Sequence, residues 1–230
     1  MFFFFDYTMV LLIPALIFAL YAQSKVKSTY LKYSQVVSSS RLTAAEAVAE
    51  ILRYSPASDV RVERIPGHLT DHYDPRKKVL RLSESVYDSP SIAALGVAAH
   101  EAGHAIQHAQ RYSFLVLRNA FYPIASLGSN LAFPLFFIGL IFNRSSARVL
   151  MDVGILLFSA AVFFTVITLP VEFDASRRAL AILKERGFLN ARELEGARKV
   201  LGAAAMTYVA ATAMAAIQLL RMILIRQSRD

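Results

Sequence analysis

The chain has no cysteine and no tryptophan among its 230 residues, and only 18% of its residues are charged. Without cysteine it can form no disulfide, thiolate nucleophile or zinc finger, so histidine and carboxylate side chains must hold any metal. The scarcity of charge accompanies 56% hydrophobic residues, which is too many for an ordinary soluble domain of this length. The composition therefore predicts a membrane protein.

Four apolar runs are long enough to cross a bilayer, which takes about 20 residues. Pro123 and Pro134 predict that the second run is kinked or partly re-entrant. We expect a mainly α-helical membrane protein with about four transmembrane or interfacial helices. Its expected segments are transmembrane helix 1 (1–22), a polar domain (23–118), transmembrane helices 2 and 3 (119–171), a polar segment and loop (172–199), and helix 4 with the tail (200–230).

Basic residues are distributed unevenly between the apolar runs. Residues 23–118 hold 13 of them and residues 172–199 hold 7, against 2 in residues 143–148 and 3 in the last ten positions. Because positive charge favours cytoplasmic loops, this bias predicts that both polar segments lie in the cytoplasm of a multi-pass cell-membrane protein. The same bias explains the net charge of +8 without a nucleic-acid partner. The arginines Arg221, Arg226 and Arg229 predict that the last run is partly interfacial.

The polar domain has the pattern of a small α+β fold. Thr43 and Glu46 form a capping box at the start of a short amphipathic helix. Residues 60–65 alternate apolar and charged side chains, as a half-buried strand does. Residues 69–73 and 78–82 flank an Asp-Pro turn and predict an antiparallel β-hairpin.

The segment HEAGH at residues 100–104 lies in a proline-free, alanine-rich stretch that predicts one helix over residues 91–112. His100 and His104 are about 40° apart around such a helix, so both imidazoles can point at one metal ion. Glu101 is rotated by about 100° and is placed to take a proton from water, as a general base does. This spacing is typical of zinc peptidases. The alternative is a polar helix face whose histidines are satisfied by hydrogen bonds.

A catalytic zinc ion needs a third protein ligand and keeps a fourth position open. Glu172 is the predicted third ligand, because it follows the third apolar run on the same cytoplasmic side as His100. The alternative is an interface charge paired with Arg177 or Arg178. Asp174 faces elsewhere on a helix and is expected to orient a histidine or to pair with an arginine.

The sequence resembles the YugP-type neutral zinc metallopeptidases of bacterial membranes. The segments that carry the resemblance are GHLTDHYDPR at 67–76, LRLS at 80–83, HEAGHAIQH at 100–108 and LPVEFDAS at 169–176. The resemblance implies a gluzincin-like membrane zinc peptidase with a His, His, Glu site, similar to the HtpX-type enzymes. In those enzymes the third-ligand segment reads Glu-x-x-x-Asp, and the aspartate supports a zinc-bound histidine. Ser176 stands at that place here, so the support falls to Asp174 or elsewhere.

Three further histidines are candidates for contacts near the site. His108 continues the face of His100 and His104 but lies about 12 Å along the helix from His100, too far to share one tetrahedral ion. We expect it beside a ligand or on the substrate side, with a plain surface position as the alternative. Zincin-like domains bind peptide by adding it as a strand to a sheet edge, so residues 69–82 are the expected edge. His68 and His72 would then contact substrate, unless they only make local hydrogen bonds in the turn.

The sequence predicts a membrane-embedded zinc-dependent endopeptidase. Zinc held by His100, His104 and Glu172 would activate a water, with Glu101 as the general base. The expected partners are peptide or protein substrates, membrane proteins included, the lipid bilayer and an accessory membrane partner that no residue identifies. One alternative is a catalytically silent adaptor or subunit with a structural metal site. Another is a cation transporter, for which Asp152 is the only clear ionisable residue deep in a span.

Overall fold

The computed structural model describes residues 7–142 and 145–228. A 3-10 turn at Tyr7–Leu11 precedes seven α-helices and three β-strands. In chain order these are α1 (Leu12–Ser34), α2 (Ala44–Arg53), β1 (Arg61–Ile65), β2 (His72–Asp74), β3 (Val79–Ser83), α3 (Glu84–Tyr87), α4 (Ile92–Ala109), α5 (Ser113–Phe142), α6 (Ser145–Glu185) and α7 (Ala191–Gln227). This confirms a mainly helical protein with a small α+β part.

Four helical segments are long and apolar enough to cross a membrane, namely Tyr7–Ser34, Ser113–Phe142, Arg148–Glu185 and Ala191–Gln227. They agree with the four predicted runs but extend beyond each of them. The first residues of the segment that was expected to be a polar domain, from residue 23, are helical, because α1 continues to Ser34. Helix α5 is also continuous through Pro123 and Pro134, so the re-entrant alternative is wrong for this segment.

The chain divides into two compact units. The first unit takes the chain up to Ala22, Leu117–Leu169 and the chain from Thr207 onward. The second takes Gln23–Val116 and Pro170–Met206.

Close helix packing and polar contacts organise the first unit. A Cβ added at Gly128 would lie 2.4 Å from the carbonyl oxygen of Leu157, so this glycine lets α5 approach α6 closely. Asp152 accepts from the Nε of Arg226 at 2.8 Å, and Arg221 donates to the Oγ1 of Thr8 at 3.1 Å. Asp152 of α6 therefore has an ion-pair partner on α7. Arg229, the third arginine of the last run, lies outside the described residues.

A three-stranded mixed sheet in the order β1-β3-β2 lies in the second unit. Strands β2 and β3 pair antiparallel, with Tyr73 opposite Leu80, as the hairpin pattern predicted. The parallel pairing of β1 with β3, which sets Arg61 opposite Val79, was not predicted, because strand order does not follow from local pattern. Strand β2 is consequently an edge strand among the described residues.

Helices α2 and α4 pack on each other, and α4 also contacts β2 and β3. Helix α2 begins with the predicted capping box, in which the Glu46 N–H donates to Thr43 Oγ1 at 3.2 Å and the Thr43 N–H donates to Glu46 Oε2 at 2.8 Å. Ser91 caps α4 by accepting from the Ala94 N–H at 3.2 Å. The core between these elements is aliphatic, and its fully buried members include Val48, Leu80, Leu95 and Leu183. This core fixes α4 with one face toward the sheet.

Helices α4 and α6 approach each other at Gly103. A Cβ added at Gly103 would lie 2.6 Å from the carbonyl oxygen of Ala175. Helix α4 can therefore reach the backbone of α6 only because position 103 has no side chain. Gly96 on the same helix is different, since a Cβ there would lie 3.6 Å from Ala197, an ordinary contact distance.

Replacing Gly103 with alanine should push α4 and α6 apart and lower the free energy of unfolding by roughly 1–3 kcal/mol. Gly96→Ala is the matched control on the same helix, and its stability should equal or slightly exceed that of the wild type because alanine favours helix. Thermal unfolding of the detergent-solubilised proteins measures both. Equal melting temperatures for Gly103→Ala and the wild type would contradict the close helix contact.

Candidate metal centre

Two histidines of α4 and one glutamate of α6 meet in the second unit. Ligand atoms of His100, His104 and Glu172 all lie within 4.8 Å of one another. Oε2 of Glu172 is 3.3 Å from Nε2 of His100 and 3.5 Å from Nε2 of His104. Glu172 is buried, with 5% of its surface exposed. The structure thus brings together the three residues that the sequence proposed as ligands.

A side-chain network assigns the tautomer of His104. The amide nitrogen of Gln107 donates to the carbonyl oxygen of Val171 and to Oδ2 of Asp174, both at 2.9 Å. Because these two oxygens can only accept, the amide oxygen of Gln107 must face His104, where it lies 3.1 Å from Nδ1. Nδ1 of His104 therefore carries the proton. In the neutral ring, Nε2 is left with a lone pair directed at Glu172.

Ser176 occupies the corresponding position at the other histidine. Its Oγ lies 3.1 Å from Nδ1 of His100 and can accept the proton of that nitrogen. A hydroxyl is a weaker acceptor than the aspartate that HtpX-type enzymes have at this place. Ser176 therefore orients His100 without adding a negative charge next to it.

The donor set fits a zinc ion. Two imidazole nitrogens and one carboxylate oxygen are the ligand types of catalytic zinc sites. Nε2 of each histidine lies within 3.5 Å of the buried carboxylate of Glu172, so the three donor atoms face one point, as the ligands of a single cation do. His100, His104 and Glu172 would hold that cation.

Asp174 is buried and lies at the end of the chain of hydrogen bonds that runs from His104 through Gln107. It accepts from Gln107, Arg177 and Arg178. The two arginines that were the alternative partners of Glu172 thus pair with Asp174. Both roles expected for Asp174 are present, because it pairs with arginines and also orients His104 through Gln107.

Glu101 lies beside the cluster and faces strand β2. Its Oε2 accepts from the backbone N–H of Tyr73 at 3.0 Å. Burial raises the pKa of Glu101 to about 7, with a smaller upward contribution from the negative charges of Glu172 and Asp71. A carboxyl with a pKa near neutral can take up and release a proton under ordinary conditions, which is what a general base requires.

Tyr73 connects the edge strand to the end of the histidine face. Its hydroxyl lies 2.8 Å from Nδ1 of His108. Burial raises the pKa of Tyr73 to about 12, so the phenol stays protonated and shares a neutral hydrogen bond with this nitrogen. His108 is therefore held by Tyr73 on the strand side and is not part of the three-residue cluster.

Tyr73 and Gln107 were missed by sequence reasoning. Gln107 is three residues after His104 on the same helix face, so helical spacing could have identified it. Tyr73 has no such signal, because its contacts with Glu101 and His108 depend on how β2 packs against α4.

His68 and His72 are not brought to the cluster. His68 is exposed and packs edge-on against Tyr30, with the ring centroids 5.6 Å apart. His72 is exposed, with Nδ1 2.9 Å from the carbonyl oxygen of Thr70 and Nε2 3.3 Å from Arg81. These are local contacts of the kind that the alternative interpretation expected. Contact of either histidine with substrate stays a prediction.

Comparison with known proteins identifies the family of the chain. A family described as "Putative neutral zinc metallopeptidase" matches residues 8–227, so the chain belongs to that family. It is also 50% identical over 215 residues to the "Putative membrane protease YugP" of Bacillus subtilis (strain 168), and the match covers 94% of each chain. No solved structure matches the chain. The family and the relative together support a zinc protease of the membrane.

Replacing Gln107 with leucine should lower zinc affinity by roughly 10–100-fold, because His104 loses the acceptor that fixes its tautomer. Gln110→Leu is the matched control, since the Gln110 amide contacts Arg178 and no histidine. Competition with a chromogenic chelator measures both affinities. Wild-type affinity in Gln107→Leu would show that the amide does not orient the ligand.

Proposed function

We propose that the chain is a membrane-embedded zinc-dependent endopeptidase. The observation that carries the proposal is the convergence of His100, His104 and Glu172 with the carboxylate of Glu101 beside them. Three ligand residues leave one position of a tetrahedral ion open for substrate or water. A structural site is instead closed by four protein ligands, and it has no use for an adjacent free base. Within the described residues, the arrangement therefore favours catalysis over a silent adaptor.

Glu101 is the proposed general base. When bound, zinc supplies a Lewis acid that lowers the pKa of water and polarises the scissile carbonyl. Glu101 accepts the proton of the attacking water and then passes it to the leaving amine. The N–H of Tyr73 holds one oxygen of Glu101 at 3.0 Å and so directs the carboxylate during both transfers.

Strand β2 is the proposed platform for the substrate. It is an edge strand among the described residues. The backbone N–H of Tyr73 donates to Glu101 and not to β3. An extended peptide added along this edge would bring its backbone next to the zinc ligands. The bond between Tyr73 and His108 keeps the strand in place against α4. Strand addition forms hydrogen bonds with the main chain of the substrate, so it suits protein substrates of varied sequence.

Two variants and the wild type test the mechanism in detergent, with an unstructured protein as substrate. Glu101→Gln should keep its zinc and lose two to four orders of magnitude in proteolysis, roughly the contribution of a general base. Glu172→Ala should lose zinc, because only two ligands remain. Zinc is counted by elemental analysis and proteolysis by gel.

Glu185→Gln is the matched control, since Glu185 is exposed at the end of α6 and belongs to neither group. Undiminished proteolysis by Glu101→Gln would overturn the proposed base. Full zinc occupancy in Glu172→Ala would overturn the third ligand.

We also propose that the site faces the cytoplasm, on the strength of the basic bias of residues 23–118 and 172–199. The absence of cysteine makes this simple to test with single introduced thiols. Lys77→Cys, in the exposed turn between β2 and β3, should react with a membrane-impermeant maleimide only after the cells are lysed. Arg144→Cys, at a position that lies between the second and third apolar runs of the sequence, should react in intact cells. The reverse labelling pattern would invert the topology.

A further inference from the structure

A basic cleft lies between α1 and α7 in the second unit, away from the metal centre. Its volume is about 590 Å³. Lys25 and Lys32 of α1 and Lys199 of α7 line it, together with the hydroxyl-bearing residues Ser28 and Thr29. No carboxylate is among the lining residues that the structure describes. The cleft therefore concentrates positive charge from two helices around one space.

The cleft adjoins a seam, the line of contact between residues 30–33 of α1 and residues 196–200 of α7. At the closed end, a Cβ added at Gly196 would lie 2.7 Å from the ring of Tyr33. Tyr30 packs beside Val200 one turn further along. At Gly202 the contact is lost, because a Cβ there would meet no atom within 4 Å. The seam thus opens at Gly202, which lines the cleft.

The position of the lysines along the chain indicates what enters this gap. Lys25 and Lys32 follow the apolar run that ends at residue 22, and Lys199 precedes the run that begins at residue 200. Basic residues at such ends lie at the level of the lipid headgroups. Lys199 has one nearby counter-charge, with its Nζ 3.8 Å from Glu195 on the solvent-exposed face of α7.

We propose that this cleft binds the phosphate group of an anionic phospholipid. Lysine ammonium groups attract phosphate as point charges, and basic pockets between membrane helices select anionic headgroups. The cleft volume lies within the range of about 300–1,000 Å³ that is usual for small-ligand sites. The hydroxyl of Ser28 already donates to the carbonyl oxygen of Lys25 at 3.2 Å, so the lysines are the groups that would recognise the phosphate.

A bound headgroup would act on the scaffold of the metal centre. A Cβ added at Gly196, at the closed end of the same seam, would lie 3.2 Å from Cγ2 of Ile92, so α7 packs closely on the start of α4. Ile92 is the first residue of α4, which carries His100 and His104. A phosphate that holds α1 against α7 therefore stabilises the surface on which α4 begins.

The test compares lipid retention by native mass spectrometry. The full-length protein is released from nanodiscs that contain equal amounts of phosphatidylglycerol and phosphatidylcholine. Wild type should retain mainly phosphatidylglycerol. The double variant Lys32→Gln/Lys199→Gln should lower the ratio of the two retained lipids by roughly ten- to thirtyfold. Lys27→Gln/Arg198→Gln removes the same charge from the same helices outside the cleft and should change the ratio less than about twofold.

Gly202→Leu keeps every charge and fills the gap, so it should also lower phosphatidylglycerol retention. Thermal unfolding and zinc content check that each variant is folded. Equal loss in both double variants, or full retention in a folded Gly202→Leu, would overturn the cleft in favour of diffuse surface charge. A final arm adds inorganic phosphate to lipid-free protein in detergent. If phosphate alone raises the melting temperature as much as phosphatidylglycerol does, the ligand is a soluble anion and the lipid proposal is wrong.

Discussion

The approach of α4 to the backbone of α6 at Gly103 is the constraint on which the metal centre depends. The cluster draws two residues from one helix and one from another, so its geometry is set by the separation of those helices. With no side chain at position 103, α4 comes close enough for His100 and His104 to reach within 3.3–3.5 Å of Glu172. A chelating site of this kind tolerates little displacement, since metal–ligand distances are fixed to a few tenths of an ångström.

Around this contact, two different devices orient the two histidines. His104 is held by a chain that runs through Gln107 to the buried carboxylate of Asp174, whose charge is balanced by two arginines. His100 is held only by the hydroxyl of Ser176. In this chain a carboxylate therefore supports His104 through an amide, whereas a neutral hydroxyl contacts His100. Both histidines are oriented by a hydrogen bond to Nδ1, but the electrostatic environment differs between them.

The edge strand β2 contacts both the proposed base and the end of the histidine face. Tyr73 contributes two separate bonds, one from its N–H to Glu101 and one from its hydroxyl to His108. Both bonds depend on β2 lying at the edge of the sheet, and that order results from the parallel pairing of β1 with β3. For the proposed reaction, the order of the three strands in the small domain is therefore more important than the number of strands.

Local pattern alone determined the helix with His100 and His104, the capping box at Thr43, the hairpin of β2 and β3, and the four apolar helices. Each of these depends on residues a few positions apart, where helical or strand periodicity fixes the geometry. The sequence also singled out Glu172, because hydrophobic run lengths determine on which side of a membrane a residue emerges. Tertiary packing decided the rest: the parallel strand pair, the contacts of Tyr73, the support of His100 by Ser176, and the pairing of Arg226 with Asp152. These contacts join residues far apart in the chain, and no periodicity along the chain encodes the distance between them.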